Sequence, residues 1–192
     1  NVLKQGIPTL FTIERFEAIG PKIGDELTSD AINAILIALL LISIYISFRF
    51  DRFYAYGSLA ALMHDILITL GIFSILNIDI DLTIIAAFLT IVGYSLNDTI
   101  VIFDRIRETK GKFPKENLDW IINKSLNASL SRTIITSLTT LIVVIILFLF
   151  GGEVIKNFAF ALIIGVLTGT YSSVFVASPI MKYFENKNNT KK

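Results

Sequence analysis

The chain has 192 residues, of which 54% are hydrophobic and 17% charged, and its mean hydropathy is +0.70. That composition lies outside the range of soluble globular domains and fits a membrane protein. A net charge of +1 gives no reason to expect a nucleic-acid partner, and the absence of cysteine excludes disulfides and thiolate metal sites.

Residues 1–24 read as the last piece of an external domain. They lack the basic, apolar and small-residue order of a signal peptide, and Thr9 to Phe16 has the pattern of a short strand. The sequence is therefore expected to be a fragment of a longer chain. Gly20, Pro21 and Gly24 break the pattern, and Asp25 or Ser29 is placed to cap a first membrane helix.

Five apolar runs follow within a transmembrane region covering 25–181, each close to the ~20 residues a helix needs to cross ~30 Å of hydrocarbon. They lie at about 31–48, 53–76, 82–103, 133–150 and 157–181. Backbone amides in lipid must be satisfied within the segment, and no alternating barrel pattern is present, so each run is predicted to be a helix. Between the third and fourth, Pro114 suits the first turn of a helix, and Leu118, Ile121, Ile122, Leu126 and Leu130 recur on one face. This predicts an interfacial amphipathic helix over about 114–130, with Trp120 serving either an aromatic belt or ordinary packing. The expected fold class is an all-α integral membrane protein built as a five-transmembrane-helix bundle.

Lysine and arginine are segregated along the chain. Arg49 and Arg52 occupy the first connection, Arg105, Arg107, Lys110, Lys112, Lys115 and Lys124 the third, and Lys182, Lys187, Lys191 and Lys192 a basic tail at 182–192. These regions are expected to be cytoplasmic, with the second and fourth connections and the N-terminal segment outside.

Function is expected to lie with polar groups inside the spans, which are costly at the bilayer centre and mark ion paths or buried pairs. Asp98 sits about two turns from the basic end of its helix, with Thr90, Tyr94 and Asn97 expected on its face. The fourth span carries a second stripe: Ser129, Arg132, Thr133, Thr136, Ser137 and Thr140. Asp98 and Arg132 are at similar depth and are placed to pair. The alternative for the hydroxyl residues is bonding to their own preceding turn, and for Arg132 snorkelling to the interface. His64 and Asp65 point about 100° apart, which argues against a single two-residue site; a relay and a structural pair both remain open. Gly165 and Gly169, with Ser172 or Ser173, make a small-residue series suited to close helix packing.

The run Tyr94-Ser95-Leu96-Asn97-Asp98-Thr99-Ile100-Val101-Ile102-Phe103-Asp104-Arg105-Ile106-Arg107-Glu108 resembles the signature of the SecF family. So does Asn127-Ala128-Ser129-Leu130-Ser131-Arg132-Thr133-Ile134-Ile135-Thr136-Ser137-Leu138-Thr139-Thr140, and the match extends to Gly20-Pro21-Lys22-Ile23-Gly24, His64-Asp65 and Phe150-Gly151-Gly152-Glu153. The resemblance covers essentially the whole chain. It implies part of the six-helix unit of resistance-nodulation-division (RND) transporters, multi-pass in the bacterial or archaeal inner membrane, acting as an accessory to the Sec translocon. It further implies coupling of a proton or sodium gradient to preprotein translocation, with Asp98 and Arg132 in the ion pathway and Asn97, Thr136 and Thr140 beside them. SecD, fused or separate, the SecYEG translocon, unfolded preproteins and membrane lipids are the implied partners, and no cofactor is implied beyond the transported ion. The family's first membrane helix and most of its external domain are absent from this sequence, so this segment alone is not expected to work as a motor. A small-molecule or lipid exporter of the same superfamily is the alternative. An intramembrane hydrolase ranks behind both, because the spans offer no cysteine and a single histidine.

The charge segregation yields a direct test. Single cysteines at Asn77 and Lys112 should react with an impermeant thiol reagent from opposite sides of the membrane, and reaction from one side would overturn the five-span topology.

Overall fold

A computed structural model describes residues 21–189, and all of their regular structure is helical. In chain order the helices are α1 (Pro21–Arg49), α2 (Arg52–Ile75), α3 (Leu82–Lys112), α4 (Leu118–Phe150), α5 (Glu153–Ser172) and α6 (Ser178–Asn189). A π-helical turn, Ser173–Ala177, joins α5 to α6 without a break. Five helical stretches are long and apolar enough to cross a membrane, the last being the continuous rod from α5 through α6. The all-α, five-span expectation therefore holds. The strand pattern at 9–16, the breaks at Gly20 and the last residues of the tail lie outside the described residues.

The short connections explain the antiparallel order. Asp81 caps α3, its carboxylate accepting from the Ile84 amide at 2.9 Å and from the Thr83 hydroxyl at 2.6 Å. Asn117 does the same for α4, accepting from the Trp120 amide at 2.8 Å. Asn77 takes a φ of 52° just past α2, the left-handed conformation that asparagine tolerates after a helix.

Several boundaries differ from the sequence expectation. The first helix begins at Pro21, ahead of both Asp25 and Ser29. The third runs beyond Phe103 to Lys112, because amphipathic turns continue the helix after the apolar run ends. Of the segment expected to form a separate interfacial helix at 114–130, Pro114 to Glu116 lie in a turn, Asn117 caps, and the rest is the start of α4, which rises unbroken from Leu118 to Phe150. No Pro or Gly interrupts that stretch, so nothing in it favours a bend. Most of the expected basic tail is helical as well. Lys182 of α6 pairs with Asp119 of α4, and Glu185 of α6 with Lys110 of α3. Pro179 accounts for the π turn: it has no amide proton for the carbonyl of Phe175 four residues earlier, and the ladder widens there.

The interior is built from α2, α3 and α5, while α1 and α4 expose most of their apolar surface. Helices α3 and α5 form the tightest seam. A Cβ added at Gly165 would lie 2.2 Å from Cγ1 of Ile91, and one at Gly169 would lie 3.0 Å from Cβ of Ser95. Both glycines thus leave room for a close approach of the two backbones: lipid tails are as apolar as leucine, so such approach and dispersion must hold these helices together. Two apolar cores flank the seam. One, at the basic end, gathers Phe50, Tyr54, Phe103, Ile106 and Met181. The other, toward the opposite end, gathers Phe73, Ile84, Phe88, Ile91 and Ile164. On α3 the residues between these cores include Ser95 and Asp98, and on α5 they include Gly169 and Ser172.

Gly165→Val should destabilise the bundle by about 1–3 kcal/mol through overpacking against Ile91. Thermal unfolding in detergent measures this, and Ile91→Ala in the same background should restore part of the loss.

Candidate functional site

The polar layer between the two apolar cores holds two carboxylates. Asp98 is buried on α3, at 4% exposure. One of its oxygens lies 3.5 Å from the Ser137 hydroxyl of α4, which in turn is 2.7 Å from Thr170 of α5. The Tyr94 hydroxyl, one turn from Asp98 on the same helix, reaches Ser137 at 3.5 Å. Ser137 therefore stands at the meeting point of three helices, with long contacts to the acid and to Tyr94. One turn away, Thr133 is also buried, and its hydroxyl has no hydrogen-bond partner among the described residues.

Arg132 approaches from the basic end. It is exposed and lines a groove of about 400 Å³ with Ser129 and with Asp104, Arg105 and Glu108 of α3. Its charge reaches Asp98 through space, but the structure holds no hydrogen bond or ion pair between them. Their interaction is thus one of charge at a distance, without direct contact. Thr136 turns its hydroxyl to the carbonyls of Arg132 and Thr133 in its own helix, both at 3.0 Å, so it serves the local bonding considered for it. Thr140 is half-buried one turn further along.

Asn97 does not share the Asp98 face. It is exposed, as is Thr90, whose hydroxyl bonds the Ala86 carbonyl at 2.8 Å. Adjacent residues on a helix diverge by about 100°, which carries Asn97 to the outer side while Tyr94, four residues back, stays with the acid.

The second carboxylate, Asp65 of α2, is more deeply buried, at 1% exposure. One oxygen accepts from the Ser95 hydroxyl of α3 at 2.5 Å and from the Ser172 hydroxyl of α5 at 2.8 Å. The other lies 3.0 Å from Nδ1 of His64. His64 and Asp65 do form one site, against the expectation from their angular separation: the long imidazole folds back along the helix so that Nδ1 meets the short acid from the side. Ser95 and Ser172 escaped the sequence reading as ligands of an acid. Ser95 lies three residues before Asp98, which is a visible signal; the spacing of Ser172 from Asp65 carries none.

The comparisons with known proteins agree with this architecture. The profile described as "Protein export membrane protein SecD/SecF, C-terminal" matches residues 2–187. The chain belongs to the SecD/SecF family. Among curated relatives, the protein translocase subunit SecF of Rhodothermus marinus is 56% identical over 169 residues, covering 85% of this chain and 55% of that protein. The SecF subunit of Vibrio alginolyticus is 53% identical over 180 residues, covering 94% of this chain and 57% of its own. The chain thus spans about half the length of the curated relatives it matches. The crystal structure of SecDF from Thermus thermophilus, a translocon-associated membrane protein, superposes with a TM-score of 0.83 at 43% identity, covering 88% of this chain and 23% of that one. A second SecDF crystal structure, in a super-membrane-facing form, gives a TM-score of 0.81 at 40% identity over 91% of this chain and 23% of that one.

Ser95→Ala and Ser172→Ala should each weaken helix association by about 0.6–1.7 kcal/mol, the range found for interhelical hydrogen bonds in membranes. Because both donate to one oxygen, the double variant should depart from additivity. Unfolding free energies in mixed micelles would measure both effects.

Proposed function

We propose that this chain is the membrane part of an accessory subunit of the Sec translocon, in which Asp98 takes up and releases the driving ion opposite Arg132. The observation that carries this reading is a buried carboxylate on the most enclosed helix, with Ser137 and Thr170 beside it and a guanidinium at the mouth of the layer. In that arrangement the carboxylate has, among the described residues, a single weak donor, Ser137 at 3.5 Å, so neither charge state is locked by hydrogen bonds there. Arrival of a proton at Asp98 leaves the charge of Arg132 without its counterpart; departure restores the attraction. An alternating charge at this depth biases the packing of α3 against α4. The membrane potential adds about 2.3 kcal/mol per charge per 100 mV, enough to shift a bistable helix pair by tens of fold.

In this reading the transported ion is H⁺ or Na⁺. The partners are SecD, fused or separate, the SecYEG channel and an unfolded preprotein drawn outward by movement of an external domain. The chain lies in the inner membrane with residues preceding α1 outside and α6 at the cytoplasmic face, supported by the lysine and arginine concentrated at one end of the bundle. The SecF names of the relatives weigh toward a translocon accessory and away from a small-molecule exporter or a hydrolase.

In the intact protein, Asp98→Asn should abolish the gradient-dependent part of preprotein movement and leave assembly unchanged. Asn keeps the size and most hydrogen bonds of Asp but cannot exchange a proton. Arg132→Lys should give partial loss, because a lysine keeps a charge without the planar fork. The measurement is outward movement of a stalled preprotein in membrane vesicles after ATP removal, with and without an imposed gradient. A wild-type response from Asp98→Asn vesicles would remove Asp98 from the ion path.

A further inference from the structure

The proposed ion path uses Asp98 and leaves the other buried acid without a role. Asp65 has features that a purely structural residue does not need. Three helices converge on it, through His64 of α2, Ser95 of α3 and Ser172 of α5. Among the described residues, His64 is the only charged or titratable group acting on it. Helix α1 faces this part of the bundle with apolar side chains such as Leu39. An asparagine would bridge helices with less desolvation than a carboxylate, so the acid calls for an explanation.

His64 supplies one. Its side chain is 29% exposed while its Nδ1 meets Asp65, so the ring links the bundle surface to the buried oxygen. On the outer side it stacks against Tyr171 of α5, with ring centroids 6.1 Å apart, and Tyr171 is itself exposed. Imidazole is also the side chain whose ordinary titration falls between about pH 5 and 8.

We propose that the His64–Asp65 pair is a second proton-binding site, separate from Asp98, loaded through the imidazole, whose occupancy sets how firmly α2 holds α3 and α5. In the loading step the neutral ring, protonated at Nδ1, takes a proton at Nε2 and becomes an imidazolium. The Nδ1 proton then passes to Oδ1 of Asp65. The ring is left neutral with its proton on Nε2, the acid is neutral, and one proton has been taken up; release runs in reverse.

Loading has a mechanical consequence. Hydrogen bonds to a charged acceptor are about twice as strong as those between neutral groups, so neutralising Asp65 weakens the Ser95 and Ser172 bonds together. Ser172 has an alternative ready, since its hydroxyl also lies 3.2 Å from the Gly169 carbonyl. When Ser172 turns to that carbonyl, the bridge from α2 to α5 is lost at the residue immediately before the π turn. Such turns already depart from the regular ladder and are common at functional sites. The site therefore couples proton occupancy to the joint between α5 and α6.

Infrared difference spectroscopy of the intact protein in lipid nanodiscs, titrated across pH 4–9, tests this. The wild type should show two protonated-carboxyl components, one that Asp65→Asn removes and Asp98→Asn retains, and one of the opposite behaviour. His64→Gln should keep the first component but move its midpoint to higher pH by at least one unit, because the Nδ1 donor that favours the unloaded carboxylate is gone. Amide exchange over 172–177, corrected for intrinsic pH dependence, should quicken on acidification in the wild type and lose that response in Asp65→Asn. Loss of both components in Asp98→Asn, or retention of both in Asp65→Asn, overturns the proposal. Should Asp65→Asn fail to assemble, His64→Gln decides alone, and an unchanged midpoint overturns it. Failure here leaves the Asp98 reading standing, since that reading is judged by gradient-driven movement.

Discussion

The close approach of α5 to α3 is the constraint from which the rest of the bundle follows. With no hydrophobic driving force between helices in lipid, association depends on how near two backbones come and which polar groups they can join. Gly165 and Gly169 remove the side chains that would hold the helices apart, and Ile91 and Ser95 fill the space against them. Once α5 lies this close, Ser172 reaches across to Asp65 and Thr170 is carried to Ser137. A larger residue at either glycine would displace both contacts together.

The same seam explains why the polar layer has two centres of different character. Asp65 is enclosed on every side, bridges three helices with short hydrogen bonds, and meets the surface only through His64. Asp98 is held, among the described residues, by one long contact, to Ser137 at 3.5 Å. A tightly bonded acid holds helices in place until its charge changes, whereas a loosely bonded one exchanges its proton without rearranging a network. Apolar cores on both sides keep the layer away from the two ends of the bundle.

At the basic end the helices are joined by charge. Arg49 of α1 pairs with Asp104 of α3 at 3.2 Å, Lys110 of α3 with Glu185 of α6, and Lys182 of α6 with Asp119 of α4. The exposed pairs among these contribute little stability singly, whereas Glu185 is buried beside Lys110. Together they tie α6 to α3 and α4.

The sequence by itself determined the number of spans, their antiparallel order and the identity of Asp98 as a buried acid. Those properties depend on the length of apolar runs, on the placement of Lys and Arg, and on the cost of a carboxylate in lipid, all of which are local. The extended family signature around Asp98 and Arg132 was equally legible, since it is a contiguous string of residue types. The ends of α3 and α4 were not, because polar amphipathic turns continue a helix without adding to its apolar run. Only the tertiary structure decided which polar groups meet. That Ser95 and Ser172 both reach Asp65, and that Ser137 of α4 meets Asp98 and Thr170, follow from the rotation of each helix about its axis. That rotation is set by packing at Gly165 and Gly169 against a helix some 70 residues earlier in the chain, a relation no local spacing encodes.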